Sequence, residues 1–253
     1  MIRFENVSKT LGGRKILDGI SFAIKPGETF VICGPSGVGK SVTLKHMVRL
    51  LTPDDGDVYV GDDCISDAKG GDLERARELF GYLFQGGALL AWLNVFENVA
   101  LPLREKTQLA DADIRERVQA TLELVEMGDD GEKMPSEISG GMRKRAGLAR
   151  AIIHNPKIVL YDEPTSGLDP VTSRTIDALI ERLQTEKNVT SVVVTHDLHS
   201  ALSIGDRIAM LNKAQIVELA TPEEFISSNN TEVQNFLASQ FITREGSWER
   251  KRS

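Results

Sequence analysis

The hydrophobic pattern of the chain begins with strands and then turns to helices. In the first third, residues 22–24 alternate, and residues 29–33 (Thr-Phe-Val-Ile-Cys) form a short apolar run rich in β-formers. A run of this length between turn residues is typical of a strand buried on both faces of a parallel sheet. The pattern then predicts a helix over 40–51, ending before Pro53, and a strand over 57–60.

From about residue 87 to residue 150 the pattern is helical. Residues 112–127 carry an apolar stripe at helical spacing, which is formed by Ile114, Val118, Leu122 and Val125. A further helix is expected over 142–153.

Strand character returns in the last third of the chain. Residues 157–161 and 190–195 are apolar runs of strand type, and residues 171–186 between them are helical in pattern. This strand–helix–strand order predicts a parallel crossover and therefore an α/β fold. The residues from 228 onward are polar, and we expect them to lie outside the core.

Composition and charge narrow the class of protein. The chain has 253 residues and a formal charge of -7, and its 41% apolar and 26% charged residues are close to globular averages, which excludes disorder as a whole. The acidic balance argues against nucleic acid as the main partner, because phosphates require clustered basic residues. Cys33 and Cys64 are too few for a disulfide framework, and we expect both to be small buried hydrophobes in a reducing compartment.

The sequence also argues against a membrane span or an export signal. The longest uncharged stretch near the middle, residues 86–96, is shorter than the roughly 20 residues that a spanning helix needs. The N-terminus lacks the apolar core of a signal peptide. We therefore expect a cytoplasmic protein that acts on a membrane, if at all, through a partner.

A phosphate-binding motif follows the predicted strand at 29–33. Residues 34–41, Gly-Pro-Ser-Gly-Val-Gly-Lys-Ser, match the pattern G-x-x-x-x-G-K-[ST] at every fixed position. The glycines let the backbone curl so that its N–H groups point at phosphate oxygens, Lys40 supplies a charge for the β- and γ-phosphates, and Ser41 can ligate Mg²⁺. The strand before the motif and the helix after it are the context that this function requires.

Two further positions carry matching chemistry. Asp162 and Glu163 come directly after the predicted buried strand at 157–161, where ligands bind in an open α/β sheet. There Asp162 can hold Mg²⁺ and Glu163 can polarise the water that attacks the γ-phosphate. Ser139-Gly140-Gly141, before a predicted helix, forms a second candidate anion site. Because the chain has one phosphate loop, we expect that second site to serve a nucleotide held by another copy.

Together and in this order, these motifs resemble the ATP-binding subunit of ABC transporters over about residues 1–227. The resemblance implies a P-loop NTPase (RecA-like) fold with a parallel-sheet core and an N-terminal antiparallel β-subdomain. It also implies an α-helical subdomain inserted at about 87–150, which leaves residues 228–253 as a C-terminal extension.

The resemblance implies a role for each motif. The expected ATP-binding residues are Gly34, Pro35, Ser36, Gly37, Val38, Gly39, Lys40, Ser41 and Val42. The expected catalytic residues are Glu163, His196 and Gln85. The expected Mg²⁺ ligands are Ser41, Gln85 and Asp162. The signature residues expected to act in trans are Ser139, Gly140 and Gly141, with Asp169 nearby, and Arg145 matches the arginine of the helix behind them.

Two positions depart from the family pattern. Met142 replaces the usual signature glutamine, but the phosphate contact is expected mainly from Ser139 and backbone amides. Leu11 stands where the family usually has an aromatic residue that stacks on adenine. Because leucine lacks the stacking energy of roughly 1 to 3 kcal/mol for a base on an aromatic side chain, we expect weak base selectivity, with GTP competing nearly as well as ATP.

Within the superfamily, three segments look like the ATPase of Mla- and Mce-type lipid transporters. They are residues 84–89, 93–105 and 134–145. This resemblance implies a cytoplasmic homodimer of the ATPase, peripheral on the inner face of the inner membrane. Its partners would be two permease subunits and a periplasmic lipid-binding ring, and its cargo would be phospholipid moved between the two membranes of a diderm bacterium.

Several alternatives stay open at this point. The runner-up is the ATPase of an importer for a small polar solute. A soluble relative acting on nucleic acid or ribosomes is disfavoured, since the 97 residues between the phosphate and signature motifs leave no room for a long coiled coil. The apolar residues within 88–96 could fill the core or form a groove for a permease helix. The extension could be a solvated tail or, through Val233, Phe236, Leu237 and Phe241, a clasp on another subunit.

Overall fold

We analysed a computed structural model of the protein, which describes residues 1–242. The described part of the chain contains ten strands. They are β1 (Ile2–Leu11), β2 (Arg14–Ile24), β3 (Thr29–Cys33), β4 (Asp55–Val60), β5 (Asp63–Cys64), β6 (Phe80–Leu83), β7 (Ile158–Asp162), β8 (Thr190–Thr195), β9 (Arg207–Asn212) and β10 (Gln215–Ala220).

Nine helices lie within the same described residues. They are α1 (Lys40–Met47), α2 (Gly70–Glu78), α3 (Val95–Lys106), α4 (Asp111–Leu124), α5 (Gly140–Ile152), α6 (Pro170–Lys187), α7 (Leu198–Ile204), α8 (Pro222–Ser227) and α9 (Thr231–Ser239). Of the helices in this part of the chain, none has the length and apolarity required to cross a bilayer.

The chain divides into two compact units. The flanking unit comprises residues 1–77 together with the chain from residue 190 onward, and the inserted unit comprises residues 78–189. The inserted unit is broader than the helical subdomain expected at 87–150, because it also holds β6, β7 and α6.

The flanking unit contains an antiparallel sheet in the order β2-β1-β4-β5. Alternate residues of β1 and β2 point inward, so that Ile2 and Phe4 are buried between exposed neighbours. Phe22 stacks on Phe4 at 4.6 Å and on Phe30 at 5.4 Å between ring centroids. Each such pair stabilises the fold by about 1 kcal/mol beyond the burial of its apolar area. The pairs also join this sheet to β3.

The second set of strands in the flanking unit runs in the order β10-β9-β3-β8. β3 is parallel to both β8 and β9, and all five of its residues are buried. A central strand with two parallel neighbours must be apolar on both faces, which explains the continuous run at 29–33. The strands predicted at 29–33 and 190–195 are confirmed residue for residue.

The inserted unit contains the parallel pair β6–β7, in which Leu83 lies opposite Tyr161. Helix α5 packs on β6 and on α3, and α4 packs on both α3 and α5. The predicted stripe of α4 is confirmed, since Ile114, Val118 and Leu122 are buried. Helix α5 begins two residues earlier than predicted, because Ser139 caps it by accepting a hydrogen bond from the Met142 amide.

Two other expectations are corrected and one is confirmed. The helix predicted over 40–51 ends at Met47, since Val48 leaves the helical region and Arg49 has a φ of 51°. Cys33 is buried as expected, and burial raises the pKa of its thiol to about 12. Cys64, by contrast, is only half-buried and donates a hydrogen bond to Asp57.

The chain after residue 228 is also less detached than expected. Helix α9 buries Val233 and Leu237 and packs on α8 and β10, so that part of the extension belongs to the core of the flanking unit. Phe241, by contrast, is 93% exposed. The basic residues at 250–252 of the sequence lie outside the described residues.

Candidate active site

The phosphate-binding loop joins β3 to α1 in the flanking unit. Gly34, Gly37 and Gly39 have φ values of 144°, 77° and 115°, a region that favours glycine. A Cβ on Gly34 would lie 2.2 Å from the carbonyl oxygen of Leu211, and one on Gly39 would lie 2.7 Å from Cγ2 of Ile16. The curl of the loop therefore requires glycine both for its backbone conformation and for the space around it.

The lysine of the motif is held against the loop itself. Lys40 is 5% exposed, and its Nζ donates hydrogen bonds to the carbonyl oxygens of Gly34 at 2.9 Å and Pro35 at 3.1 Å. Ser41 follows in the first turn of α1 and is half-buried, whereas Ser36 is exposed at the loop tip. An ammonium charge thus lies beside the turn whose outer residues face solvent, which is the arrangement that an anion-binding loop requires.

The flanking unit brings His196 to the same sheet edge as the phosphate loop. β3 and β8 are parallel neighbours with Cys33 opposite Thr195, so the residues that follow both strands leave the sheet at the same edge. His196 is exposed at this edge. The next residue, Asp197, caps α7 by accepting hydrogen bonds from the amides of residues 199 and 200.

The inserted unit brings the other catalytic candidates together in the same way. Gln85 follows β6, and Asp162 and Glu163 lie at the end of its parallel neighbour β7. Asp162 is 6% exposed and accepts a hydrogen bond of 3.4 Å from the Tyr82 hydroxyl. Burial and the Asp162 charge together raise the pKa of Tyr82, so this phenol stays a neutral donor to the carboxylate. Gln85 itself is exposed.

Glu163 lies in an unusual turn that a buried lysine holds in place. The φ of Glu163 is 50°, a left-handed conformation that is uncommon outside glycine and asparagine. Its carbonyl oxygen accepts hydrogen bonds from Lys144 Nζ at 3.0 Å and from the Ser166 hydroxyl at 2.9 Å. Lys144 Nζ also donates to the Ser166 carbonyl oxygen at 2.6 Å.

Sequence reasoning missed Lys144. It lies on α5, is 4% exposed, and burial lowers its pKa to about 8, while the charge of Glu163 acts in the opposite direction. A lysine within a polar run is normally predicted to lie on the surface. Lys144 is buried here because the left-handed turn after β7 leaves carbonyl oxygens that need donors. The sequence contains no local signal for this contact.

The signature segment and the turn before α6 approach each other closely. A Cβ on Gly141 would lie 2.4 Å from the Thr172 side chain, so only glycine fits at that position. Asp169 caps α6 by accepting hydrogen bonds from the amides of Val171 and Thr172. Hydrogen bonds from the hydroxyl and amide of Thr172 hold the pKa of Asp169 below its usual value. Ser139 lies exposed at the start of α5.

A second cation, which is half-buried, anchors the loop after Gln85. Arg150, also on α5, donates hydrogen bonds to the carbonyl oxygens of Gly87 at 3.1 Å and Ala88 at 2.8 Å. The buried Asn98 side chain bonds both the amide and the carbonyl of Leu90. Burial lowers the pKa of Arg150. These two residues, which the sequence analysis did not single out, hold the loop by its backbone.

The loop presents one of its apolar side chains to solvent and buries another. Trp92 is 74% exposed, whereas Val95 is fully buried at the start of α3. The core alternative considered for residues 88–96 therefore holds for Val95, and the groove for a permease helix stays a prediction. Trp92 is available to a partner and Val95 fills the core.

Comparison with known proteins decides the family. The family model described as ABC transporter matches residues 17–166 of the chain. This chain belongs to the ABC transporter family. The match includes both the phosphate loop and the turn after β7 that holds Glu163.

Relatives in this family cover nearly the whole chain. The probable ribonucleotide transport ATP-binding protein mkl of Mycobacterium leprae (strain TN) is 40% identical over 99% of this chain and 72% of its own length. The intermembrane phospholipid transport system ATP-binding protein MlaF of Escherichia coli (strain K12) is 38% identical over 94% of this chain and 88% of its own.

Solved ABC cassettes share the fold. The dimeric, post-hydrolysis ATP-binding cassette MJ0796 bound to ADP and Pi matches with a TM-score of 0.81 and 33% identity, over 88% of this chain and 99% of its own. The predicted P-loop fold is thereby confirmed. The protein is the ATP-hydrolysing subunit of an ABC transporter.

Proposed function

We propose that two copies of this chain close head to tail around two ATP molecules and hydrolyse them. In each site Lys40 and the amides of the phosphate loop bind the phosphates, Glu163 polarises the attacking water, and His196 stabilises the γ-phosphate. Ser139 to Gly141 of the other copy complete the charge stabilisation and exclude water. The observation that carries this assignment is the buried Glu163 carboxylate, which follows β7 in a turn fixed by Lys144.

The proposed metal ligands suit Mg²⁺. The side chains of Ser41, Gln85 and Asp162 offer only oxygen donors, which is the set that this ion prefers. Asp162 is nearly buried and bonded to a neutral phenol, so its carboxylate is held in place as an acceptor. The ion would neutralise charge on the phosphates when bound. Lys40 supplies the second positive charge from the phosphate loop.

We propose that the cargo is phospholipid and that the protein works on the cytoplasmic face of the inner membrane with permease subunits and a periplasmic lipid-binding subunit. Support comes from the identity of 38% to the phospholipid transport protein MlaF over most of both chains. The exposed Trp92, on a loop fixed by Arg150 and Asn98, offers the permease an apolar contact.

A second candidate cargo is a small polar solute such as a ribonucleotide. It is favoured by the identity of 40% to the probable ribonucleotide transport protein mkl. The complex purified with its permease subunits and placed in liposomes decides between the two. We expect transfer of labelled phospholipid that depends on ATP, and uptake of labelled ribonucleotide without lipid transfer would favour the second candidate.

The proposed mechanism is tested by Glu163→Gln. This change keeps the shape of the side chain but removes the base, so we expect hydrolysis to fall about a thousandfold. ATP should still bind and hold the dimer closed, as measured by sedimentation with and without ATP. Glu186→Gln on the exposed face of α6 is the matched control. Normal hydrolysis by Glu163→Gln would remove Glu163 from the mechanism.

A further inference from the structure

The C-terminal helix α9 is tied to the flanking unit by polar as well as apolar contacts. Two side chains of α9, those of Val233 and Leu237, are buried. Gln234 donates hydrogen bonds to the carbonyl oxygens of Ile226 at 3.2 Å and Ser228 at 2.8 Å, so that α9 is fixed to the end of α8. The residue at the end of α9, Gln240, therefore occupies a determined position.

Gln240 makes two hydrogen bonds to the segment that follows β8. Its Nε2 donates to the carbonyl oxygen of His196 at 2.6 Å, and its Oε1 accepts from the amide of Leu198 at 2.8 Å. Both polar atoms of the side-chain amide are thus used on residues at either side of Asp197. A planar amide that bonds two backbone groups at once fixes their relative orientation.

The amide and the carboxylate of Asp197 have partners within the segment itself. The amide of Asp197 donates to the Thr195 hydroxyl at 3.0 Å, and the Asp197 carboxylate caps α7. The contacts of Gln240 are different, because they come from 44 and 42 residues further along the chain. They link the C-terminal segment to the peptide of the histidine that leaves the sheet beside the phosphate loop.

We propose that Gln240 is a positioning residue for His196 in ATP hydrolysis, and that the C-terminal segment through residue 240 is thereby part of the catalytic machinery. The inference rests on the proposed role of His196. Without the Gln240 amide, the His196 carbonyl and the Leu198 amide turn to water, and the peptide between β8 and α7 gains freedom. The histidine is then less often in the orientation that stabilises the γ-phosphate, which slows the chemical step and leaves ATP binding unchanged.

The test is a kinetic cycle in the full chain with Gln240→Ala, His196→Ala and the double variant. Gln119→Ala is the matched control, because it removes two hydrogen bonds of an exposed glutamine on α4 that do not reach the His196 segment. We expect Gln240→Ala to lower kcat about fivefold with KM for ATP unchanged. Gln119→Ala should leave kcat as it is, and the double variant should equal His196→Ala alone.

The outcomes separate this inference from the proposed function. If His196→Ala lowers kcat but Gln240→Ala does not, or if Gln240→Ala acts equally in the His196→Ala background, Gln240 does not position the histidine. If His196→Ala itself leaves kcat unchanged, the proposed role of His196 fails. Gln240→Glu is a second variant that keeps the acceptor for Leu198 but loses the donor to His196. It should slow hydrolysis at least as much as Gln240→Ala, and wild-type kcat would overturn the inference.

Discussion

The flanking unit holds its phosphate loop by backbone conformation, whereas the inserted unit holds its loops by cationic side chains of one helix. Gly34 and Gly39 take up left-handed conformations in places where a Cβ would collide with neighbouring atoms. In the inserted unit, Lys144 and Arg150, both from α5, bond the backbone of the turn at Glu163 and the loop after Gln85.

The difference shows how each kind of geometry is encoded. A loop defined by glycines carries its shape in its own sequence, so a motif identifies it. A loop held by a distant lysine or arginine depends on a helix elsewhere in the chain. Because Lys144 and Arg150 lie on the same helix, which begins at the signature serine, a displacement of α5 would reach both the catalytic turn and the exposed Trp92 loop.

The largest effect is expected from a change to the phosphate loop, whose shape is set by its backbone. Gly34→Ala places a Cβ 2.2 Å from the Leu211 carbonyl oxygen, so the loop must move. We expect a loss of about 2 to 3 kcal/mol in the free energy of unfolding and a loss of ATP affinity of at least about a hundredfold. Urea unfolding and ATP titration measure the two quantities.

Gly37→Ala is the comparison for this loop. Nothing lies within 4 Å of a Cβ at that position, and only the φ of 77° opposes it. The cost should be about 1 kcal/mol. Equal costs for the two variants would show that steric space is not what holds the loop.

A variant in the loop after Gln85 should separate transport from hydrolysis. Trp92→Ala removes a side chain that is 74% exposed, so it should leave stability and basal ATPase unchanged. Coupled transport should fall about thirtyfold if Trp92 is a central contact of the permease. Val95→Ala is the contrasting variant, since that side chain is fully buried and its loss should cost about 2 kcal/mol of stability. Loss of nucleotide binding in Trp92→Ala would instead point to a core role.

The side-chain anchor of the catalytic turn is tested by Lys144→Met. Methionine fills a similar volume but donates no hydrogen bond to Glu163 or Ser166, so the turn loosens. We expect kcat to fall about tenfold with little change in KM. Lys144→Arg, which keeps donors, should recover part of the rate. An unchanged kcat in Lys144→Met would mean that the turn holds its shape without the lysine.

The same lysine predicts a pH dependence of stability. Burial lowers the pKa of Lys144 from 10.5 to about 8. Between these values the folded chain has released the proton while the unfolded chain retains it, so stability gains as pH rises from 8 toward 10.5. Relative to Lys144→Met, the wild type should gain on the order of 2 kcal/mol over that window. A difference between the two that is flat in pH would contradict the burial of a charged amine.

The smallest effect concerns the selectivity for the nucleotide base, adenine or guanine. Leu11 is 38% exposed at the end of β1, and leucine provides no aromatic face for adenine. We expect GTP to be hydrolysed within about threefold of ATP, and Leu11→Tyr to tighten ATP binding about tenfold. Turnover of the two nucleotides by the same preparation is the measurement. A wild-type preference for ATP of about a hundredfold or more would refute the idea.

Much of the flanking unit could be predicted from sequence. The runs at 29–33 and 190–195 and the glycine loop at 34–41 are local signals, and the structure places each in the expected element. The helix predicted over 40–51 is longer than the helix observed, because nothing in the sequence indicates the left-handed conformation of Arg49.

The contacts that connect distant segments could not be predicted. Lys144 and Arg150 lie in the run Arg-Lys-Arg-Ala-Gly-Leu-Ala-Arg, which resembles a solvated helix face. Only the packed structure shows that Lys144 is buried and Arg150 half-buried. The link from Gln240 to His196 spans 44 residues and joins the residue after α9 to the residue after β8. Such contacts depend on the tertiary fold, and a single sequence does not encode them locally.

The most direct test of the account is the ATPase rate per chain measured over a wide range of protein concentration, with the oligomeric state followed by sedimentation. In the proposed mechanism each site needs the signature residues of a second copy, so the rate per chain should fall on dilution in step with the loss of dimer. A monomer that hydrolyses ATP at the full rate at every concentration would contradict it.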